Sequence, residues 1–112
     1  MSDSDEQRAT STGSVVTVFR SRLRPEALDA YEPMSERMVE LARAMPGFVD
    51  YKTFASDDGE RVTLVTFASM DDQMAWRDQP EHREAQKLGR ERFYDTFTIQ
   101  VCQCIREMRF QH

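Results

Sequence analysis

The sequence predicts an α+β domain in which one antiparallel four-stranded sheet carries two helices on a single face. Three observations predict it. Residues 14–23, 48–56, 60–68 and 96–110 are rich in β-branched and aromatic side chains and read as strands. Residues 25–45 and 70–93 repeat apolar side chains at helical spacing. Their order along the chain is β-α-β-β-α-β, and 112 residues allow one domain with one core.

The first strand is Ser14–Leu23 (SVVTVFRSRL). Pro25 opens the first helix, where a missing N–H costs nothing. Leu28, Tyr31, Met34, Met38, Leu41, Ala42 and Met45 then follow three or four residues apart, which makes one apolar face. Pro33 lies inside that run and predicts a kink or a division near Tyr31. Pro46-Gly47 ends it. FVDYKTFAS (48–56) and ERVTLVTFA (60–68) flank a short Asp57-Asp58-Gly59 turn and read as a hairpin. Ser69 followed by Asp72 matches a capping box for a helix reaching Asp78. Pro80 interrupts that helix and restarts a segment ending near Phe93. TFTIQVCQCIREMRF, Thr96–Phe110, is the fourth strand. This order is the ferredoxin-like pattern. Residues 1–13 show no periodicity and predict a disordered tail.

Two features exceed that pattern. The third strand is apolar on both faces, with Val62 and Leu64 on one and Val65 and Phe67 on the other. A two-layer monomer would leave one of them polar. The fourth strand, at about fourteen residues, would span roughly 45 Å and overhang its neighbours. Unpaired overhangs invite association. Both features predict a homodimer whose sheets face each other.

The formal net charge of −5 argues against nucleic acid and anionic membranes as partners. No apolar run approaches the roughly 20 residues that span a bilayer. The acidic N-terminus does not read as a signal peptide, so the cytoplasm is the expected location. Cys102 and Cys104 would share a strand face about 6.5–7 Å apart, at the limit of disulfide reach, and read as reduced, half-buried residues. They offer too few ligands for a metal site. The element order also occurs in RNA-recognition modules. Those need a Lys/Arg-Gly-aromatic signature on the third strand, which ERVTLVTF lacks.

Gly47-Phe48, Tyr51-Lys52, Asp58-Gly59-Glu60, Ala75-Trp76-Arg77, Pro80-Glu81-His82, Gly89-Arg90 and Phe93-Tyr94 occur in an order that resembles the antibiotic biosynthesis monooxygenase (ABM) superfamily. The resemblance covers about residues 14–110. It implies a dimeric α+β barrel with one cavity per subunit, between sheet and helices. Relatives include cofactor-free oxygenases of anthrones, quinol monooxygenases and haem-degrading enzymes. It therefore implies oxidation of an electron-rich aromatic by O2. The alternative is a dimeric protein that binds an aromatic or haem-like ligand without turnover.

Cofactor-free oxidation needs a base, a hydrogen-bond donor for an oxyanion and a dry aromatic pocket. It needs no flavin or nicotinamide site, and no GxGxxG follows a strand here. Haem is carried only as a possible ligand. His82 is the candidate base on intrinsic pKa, against an exposed histidine at a helix start. Gln79 stands before Pro80, where many relatives carry a His-Pro-rich stretch. Trp76 is a candidate pocket wall, or a core anchor. Of Phe93 and Tyr94 at least one must face inward; Tyr94 is the candidate catalytic donor and Phe93 a candidate pocket residue. Tyr51, and more weakly Tyr31, repeat that proposal. Arg20, Arg22 and Arg106 lie on strands, and one turned towards the cavity would stabilise an oxyanion; Arg106 is carried as the substrate-binding candidate. The face His82, Ala85, Gln86, Gly89, Phe93 is mostly small, which suits a pocket mouth, a lid or a marginal surface helix.

Overall fold

The computed structural model describes residues 13–112. The tail expected at the N-terminus falls on residues 1–12, outside the described residues, apart from Gly13, whose amide donates to the Cys104 carbonyl at 3.0 Å.

Strand β1 (Val15–Leu23) leads through a 3-10 turn, Pro25–Ala27, into helix α1 (Leu28–Arg43). Strands β2 (Phe48–Ala55) and β3 (Arg61–Phe67) form the hairpin. Helices α2 (Met70–Asp78) and α3 (Pro80–Leu88) meet at Gln79, and a π-helical turn (Gly89–Phe93) delivers the chain to β4 (Tyr94–Gln103). The sheet order is β2-β3-β1-β4 with every neighbour antiparallel, the ferredoxin-like arrangement.

The register divides the side chains between two faces. Val15, Thr17 and Phe19 stand beside Phe67, Val65 and Thr63 on β3, and beside Gln103, Val101 and Ile99 on β4. This is the helix-facing row. Val16, Val18 and Arg20 alternate with it and face away, as do Val62 and Leu64. Val15 and Phe67 are fully buried, and Phe67 and Val65 cluster with Met38, Ala42, Trp76 and Ala85, so all three helices pack on this end of the sheet. Side chains of this size stabilise by about 1.5–3 kcal/mol each when buried. Ala27, Tyr31 and Phe93 form a second cluster at the other end.

Pro33 does not divide α1, which runs unbroken from Leu28 to Arg43. The proline removes the donor for the Asp29 carbonyl, but Pro33 and Asp29 are both exposed, so water supplies the partner. Gly47 has φ +77°, and a Cβ there would meet Asp72 Oδ2 at 2.0 Å. The link from α1 to β2 therefore passes directly against the start of α2, where Ser69 Oγ accepts the Asp72 amide at 3.1 Å.

The fourth strand departs from expectation at both ends. It ends at Gln103 rather than Phe110, because β1 supplies partners only as far as Val15, with one further bond from the Cys104 amide to Ser14. Beyond it, Ile105, Met108 and Phe110 are exposed. It begins at Tyr94 rather than Thr96, through a bulge: Arg22 pairs with Thr96 but Leu23 with Tyr94, leaving Asp95 unmatched. Both cysteines are free, and Cys102 is exposed rather than half-buried, because it stands on the face without helices. Among the described residues no helix is long and apolar enough to cross a membrane.

Candidate functional site

A cavity of about 250 Å³ lies between the helices and the inner face of the sheet. Its middle is apolar, walled by Met34, Met38, Val65, Ile99 and Val101. Each end carries a different kind of polar group.

One end is built by Pro80. In an uninterrupted helix the Trp76 carbonyl would accept the amide of residue 80. Proline has no such amide, so the carbonyl is open to other donors. The Gln79 amide takes part of it at 3.2 Å, and His82 Nδ1 lies 2.8 Å away. Gln79 is the cap of α3: its side-chain Oε1 accepts the His82 amide at 2.8 Å, which fixes the backbone that carries the imidazole. The imidazole stacks on the Trp76 indole with centroids 3.9 Å apart and planes 11° from parallel. A carbonyl only accepts, so Nδ1 carries the proton and Nε2 keeps its lone pair. The nearby Gln86 amide group, 3.2 Å from Nδ1, donates instead to the Arg77 carbonyl at 3.1 Å. Burial pushes the His82 pKa below the ordinary imidazole range, partly opposed by the bond to Trp76. At neutral pH the group is a neutral imidazole with a free nitrogen.

The other end is built by the β4 bulge. Strict alternation back from Phe97, which lines the cavity, would turn Asp95 inward and Tyr94 outward. The extra residue reverses this, and Tyr94 lines the cavity with its ring 5.2 Å from Phe19. Gly89 makes room for it: a Cβ there would meet the Tyr94 ring at 2.6 Å. Tyr31, at 6.1 Å edge-to-face, and Tyr51 complete a group of three phenols. Burial raises the Tyr51 pKa to about 12, and burial together with Tyr31 and Tyr51 raises that of Tyr94 further. Tyr51 and Tyr94 are therefore donors, never bases, at physiological pH. The Arg61 guanidinium lies 5.4 Å from the Tyr31 ring centroid and holds it from outside.

Of the residues expected from sequence, His82, Trp76, Tyr94 and Tyr51 line this one cavity. Phe93 also turns inward but packs against Tyr31 at 6.2 Å, outside the cavity lining. Arg106 is a correction: it lies past the end of β4, exposed, with its carbonyl accepting the Cys104 thiol at 3.4 Å. Arg20 and Arg22 face away from the helices and pair with Glu60 at 2.7 Å and Asp58 at 2.8 Å. Gln73, bonded to Thr17 at 3.4 Å, and Arg90 were not anticipated. The spacing His82, Gln86, Arg90, four residues at each step, was the available signal for Arg90.

Among the described residues no three His, Cys, Asp or Glu side chains come together as a metal site. Haem fits poorly. His82 has the carbonyl-anchored orientation of an axial ligand, but about 250 Å³ is below the roughly 300–1,000 Å³ of pockets for drug-sized ligands. A haem is larger still.

Comparison with known proteins agrees with this architecture. Rv0793 from Mycobacterium tuberculosis superposes with a TM-score of 0.76 at 23% identity, over 86% of this chain and 99% of that one. SnoaB, a cofactor-independent oxygenase from Streptomyces nogalater, superposes with a TM-score of 0.72 at 18% identity, over 83% and 94%. At these identities the likeness concerns the fold. By sequence, the protein YqjZ of Bacillus subtilis is 33% identical over 94 residues, 84% of this chain and 82% of its own. The profile described as antibiotic biosynthesis monooxygenase matches residues 14–88. With more than half of its length matched, and with the sheet order and cavity just described, this chain belongs to the antibiotic biosynthesis monooxygenase family, which includes cofactor-independent monooxygenases.

Proposed function

We propose that this protein is a cofactor-independent monooxygenase of a small electron-rich aromatic: an anthrone, a quinol or a related phenol. The observation that carries the proposal is His82. It is a neutral imidazole with an unshared pair on Nε2, stacked on Trp76 and lining an apolar cavity. Nε2 removes a proton from an acidic phenol or anthrone C–H. The electron-rich anion is the reductant and O2 the oxidant. O2 adds to the carbanion to give a peroxide, which takes up a proton; the remaining C–H hydrogen then leaves as a proton while the O–O bond breaks, so that one oxygen atom stays as a carbonyl and the other departs as water. Tyr94, held protonated by burial, donates a hydrogen bond to the oxygen on which negative charge collects. Trp76 stacks against the ring, and the apolar middle keeps water away.

The proposal extends to a homodimer in the cytoplasm. Two features support it. Phe54 is 49% exposed opposite Val62, on the face without helices that also carries Val16, Val18 and Leu64. Ile99 and Val101 line the cavity yet are 53% and 45% exposed, so β4 leaves that wall open. Sedimentation at micromolar concentration is expected to give a dimer; a monomer would remove this part of the proposal.

Oxygen uptake tests the chemistry. Purified, metal-stripped protein is offered an anthrone, menadiol and two catechols, each corrected for autoxidation. Saturable uptake that is lost in His82→Gln is the expected result. No uptake above the blank, with binding intact, would leave the reading of a protein that binds aromatics without turnover.

A further inference from the structure

The cavity has a charge character opposite to that of the chain. The sequence holds 20 Asp and Glu against 15 Lys and Arg. Yet no Asp or Glu lines the cavity among the described residues, whereas Arg77 and Arg90 both do. These two differ. Arg77 is matched by its neighbour Asp78, Nε to Oδ1 at 3.0 Å. Arg90 has no carboxylate partner among the described residues, unlike Arg20, Arg22 and Arg37, which pair with Glu60, Asp58 and Glu81. Arg90 also lines the adjoining surface hollow with Asp78, Arg83, Glu84 and Lys87, neither carboxylate pairing with it, so it stands where the cavity opens to solvent.

We infer that the cavity takes an aromatic ligand bearing a carboxylate, and that Arg90 at the mouth receives the carboxylate. An anionic ligand approaching a protein of net charge −5 is repelled at long range, so its site needs a local uncompensated cation. His82 is neutral, and Arg77 is already paired. Of the two arginines that line the cavity among the described residues, Arg90 alone offers an unpaired planar fork, which matches a carboxylate in two parallel hydrogen bonds. Eight residues separate it from His82, about 12 Å at helical rise. A fused-ring aromatic lying along α3 spans that distance. Its carboxylate sits at the mouth, its rings against Met34, Met38 and Val65, and its reactive edge near Nε2. This deepens the oxygenase proposal by naming a substrate class, but the binding part stands without turnover.

Isothermal titration calorimetry with 2-naphthoate and its neutral counterpart 2-naphthamide tests it, on the full chain at low and high salt. Naphthoate is expected to bind about tenfold tighter than the amide, with the difference shrinking in salt. Arg90→Gln is expected to remove that preference, bringing the naphthoate and naphthamide affinities together. Arg92→Gln, exposed on the same turn and outside the cavity, is expected to keep it. Equal affinities in the wild type, no naphthoate binding, or an undiminished preference in Arg90→Gln would each overturn the inference. Naphthoate binding with the expected pattern, but no oxygen uptake on any phenolic probe, would support it while removing the oxygenase reading.

Discussion

The two ends of the cavity reach opposite chemistry by the same device. At the nitrogen end, a proline removes one donor from a helical ladder, and the stranded Trp76 carbonyl orients an imidazole. At the phenol end, an unmatched Asp95 shifts a β ladder by one residue and turns Tyr94 inward. Both ends exploit a local defect in regular hydrogen bonding. The consequences differ because the groups differ. Burial lowers the pKa of the imidazole and leaves a base; burial raises the pKa of Tyr51 and Tyr94 and leaves donors. One environment thus separates a proton acceptor from proton donors across the apolar middle of the cavity.

That division of labour sets the order of expected effects. His82→Gln keeps a donor for the Trp76 carbonyl but has no basic nitrogen, and oxygen uptake is expected to fall about 10²–10⁴-fold. A fall under tenfold would move the base elsewhere. Pro80→Ala restores the missing amide, joins α2 to α3 and takes the carbonyl away from His82. A loss of about 10²-fold in kcat is expected from misplacement alone, with nitrogen-15 shifts showing a mixed imidazole tautomer in place of a fixed Nδ1–H. An unchanged tautomer would show that the proline is not what orients the ring. Tyr94→Phe keeps the ring over Gly89 and is expected to cost only about tenfold, because Tyr31 and Tyr51 stand beside it as substitute donors. A loss as large as that of His82→Gln would merge the two roles.

The smallest effect is on stability. The folded His82 pKa lies below its unfolded value near 6.5. The unfolded chain therefore binds the proton first as pH falls. His82 leaves stability untouched above about pH 6.5 and erodes it from there down to the folded pKa, by at most about 1.4 kcal/mol per pH unit. Chemical denaturation at pH 7.5 and pH 5.5 should show this loss in the wild type and not in His82→Gln. The midpoint of the oxygen-uptake profile should in turn fall below pH 6.5.

The order of elements was legible because apolar spacing survives tertiary context: strands β1 to β3 and the break at Pro80 stand where the pattern puts them. His82 and Trp76 were legible as a pair because Pro80 advertises a helix break. What the pattern hid follows from non-local partners. Strand β4 stops where β1 runs out of residues, which no local composition reports, so Arg106 was drawn into a strand and towards a site it does not reach. The inward turn of Tyr94 depends on a bulge, and one extra residue reverses every assignment by alternation. Pro33 misled in the other direction, since its cost vanishes on an exposed face. Arg90 was invisible because its meaning lies in the absence of acidic residues from the cavity lining, which only the assembled fold defines.

Helix α3 is bracketed by Pro80 and Gly89 and buries a single side chain, Ala85. Such a segment is held by little, so it can open on its own without the sheet unfolding. Its amides should exchange with deuterium well before those of β1 and β3; equal protection would mean that it melts only with the core. If it opens alone, His82 leaves its stacked position while Trp76, 3% exposed and anchored in α2 against Phe67, stays behind. The aromatic floor and the base then have separate clocks: the floor persists through each opening, and catalysis is possible only in the intervals when the nine residues are shut.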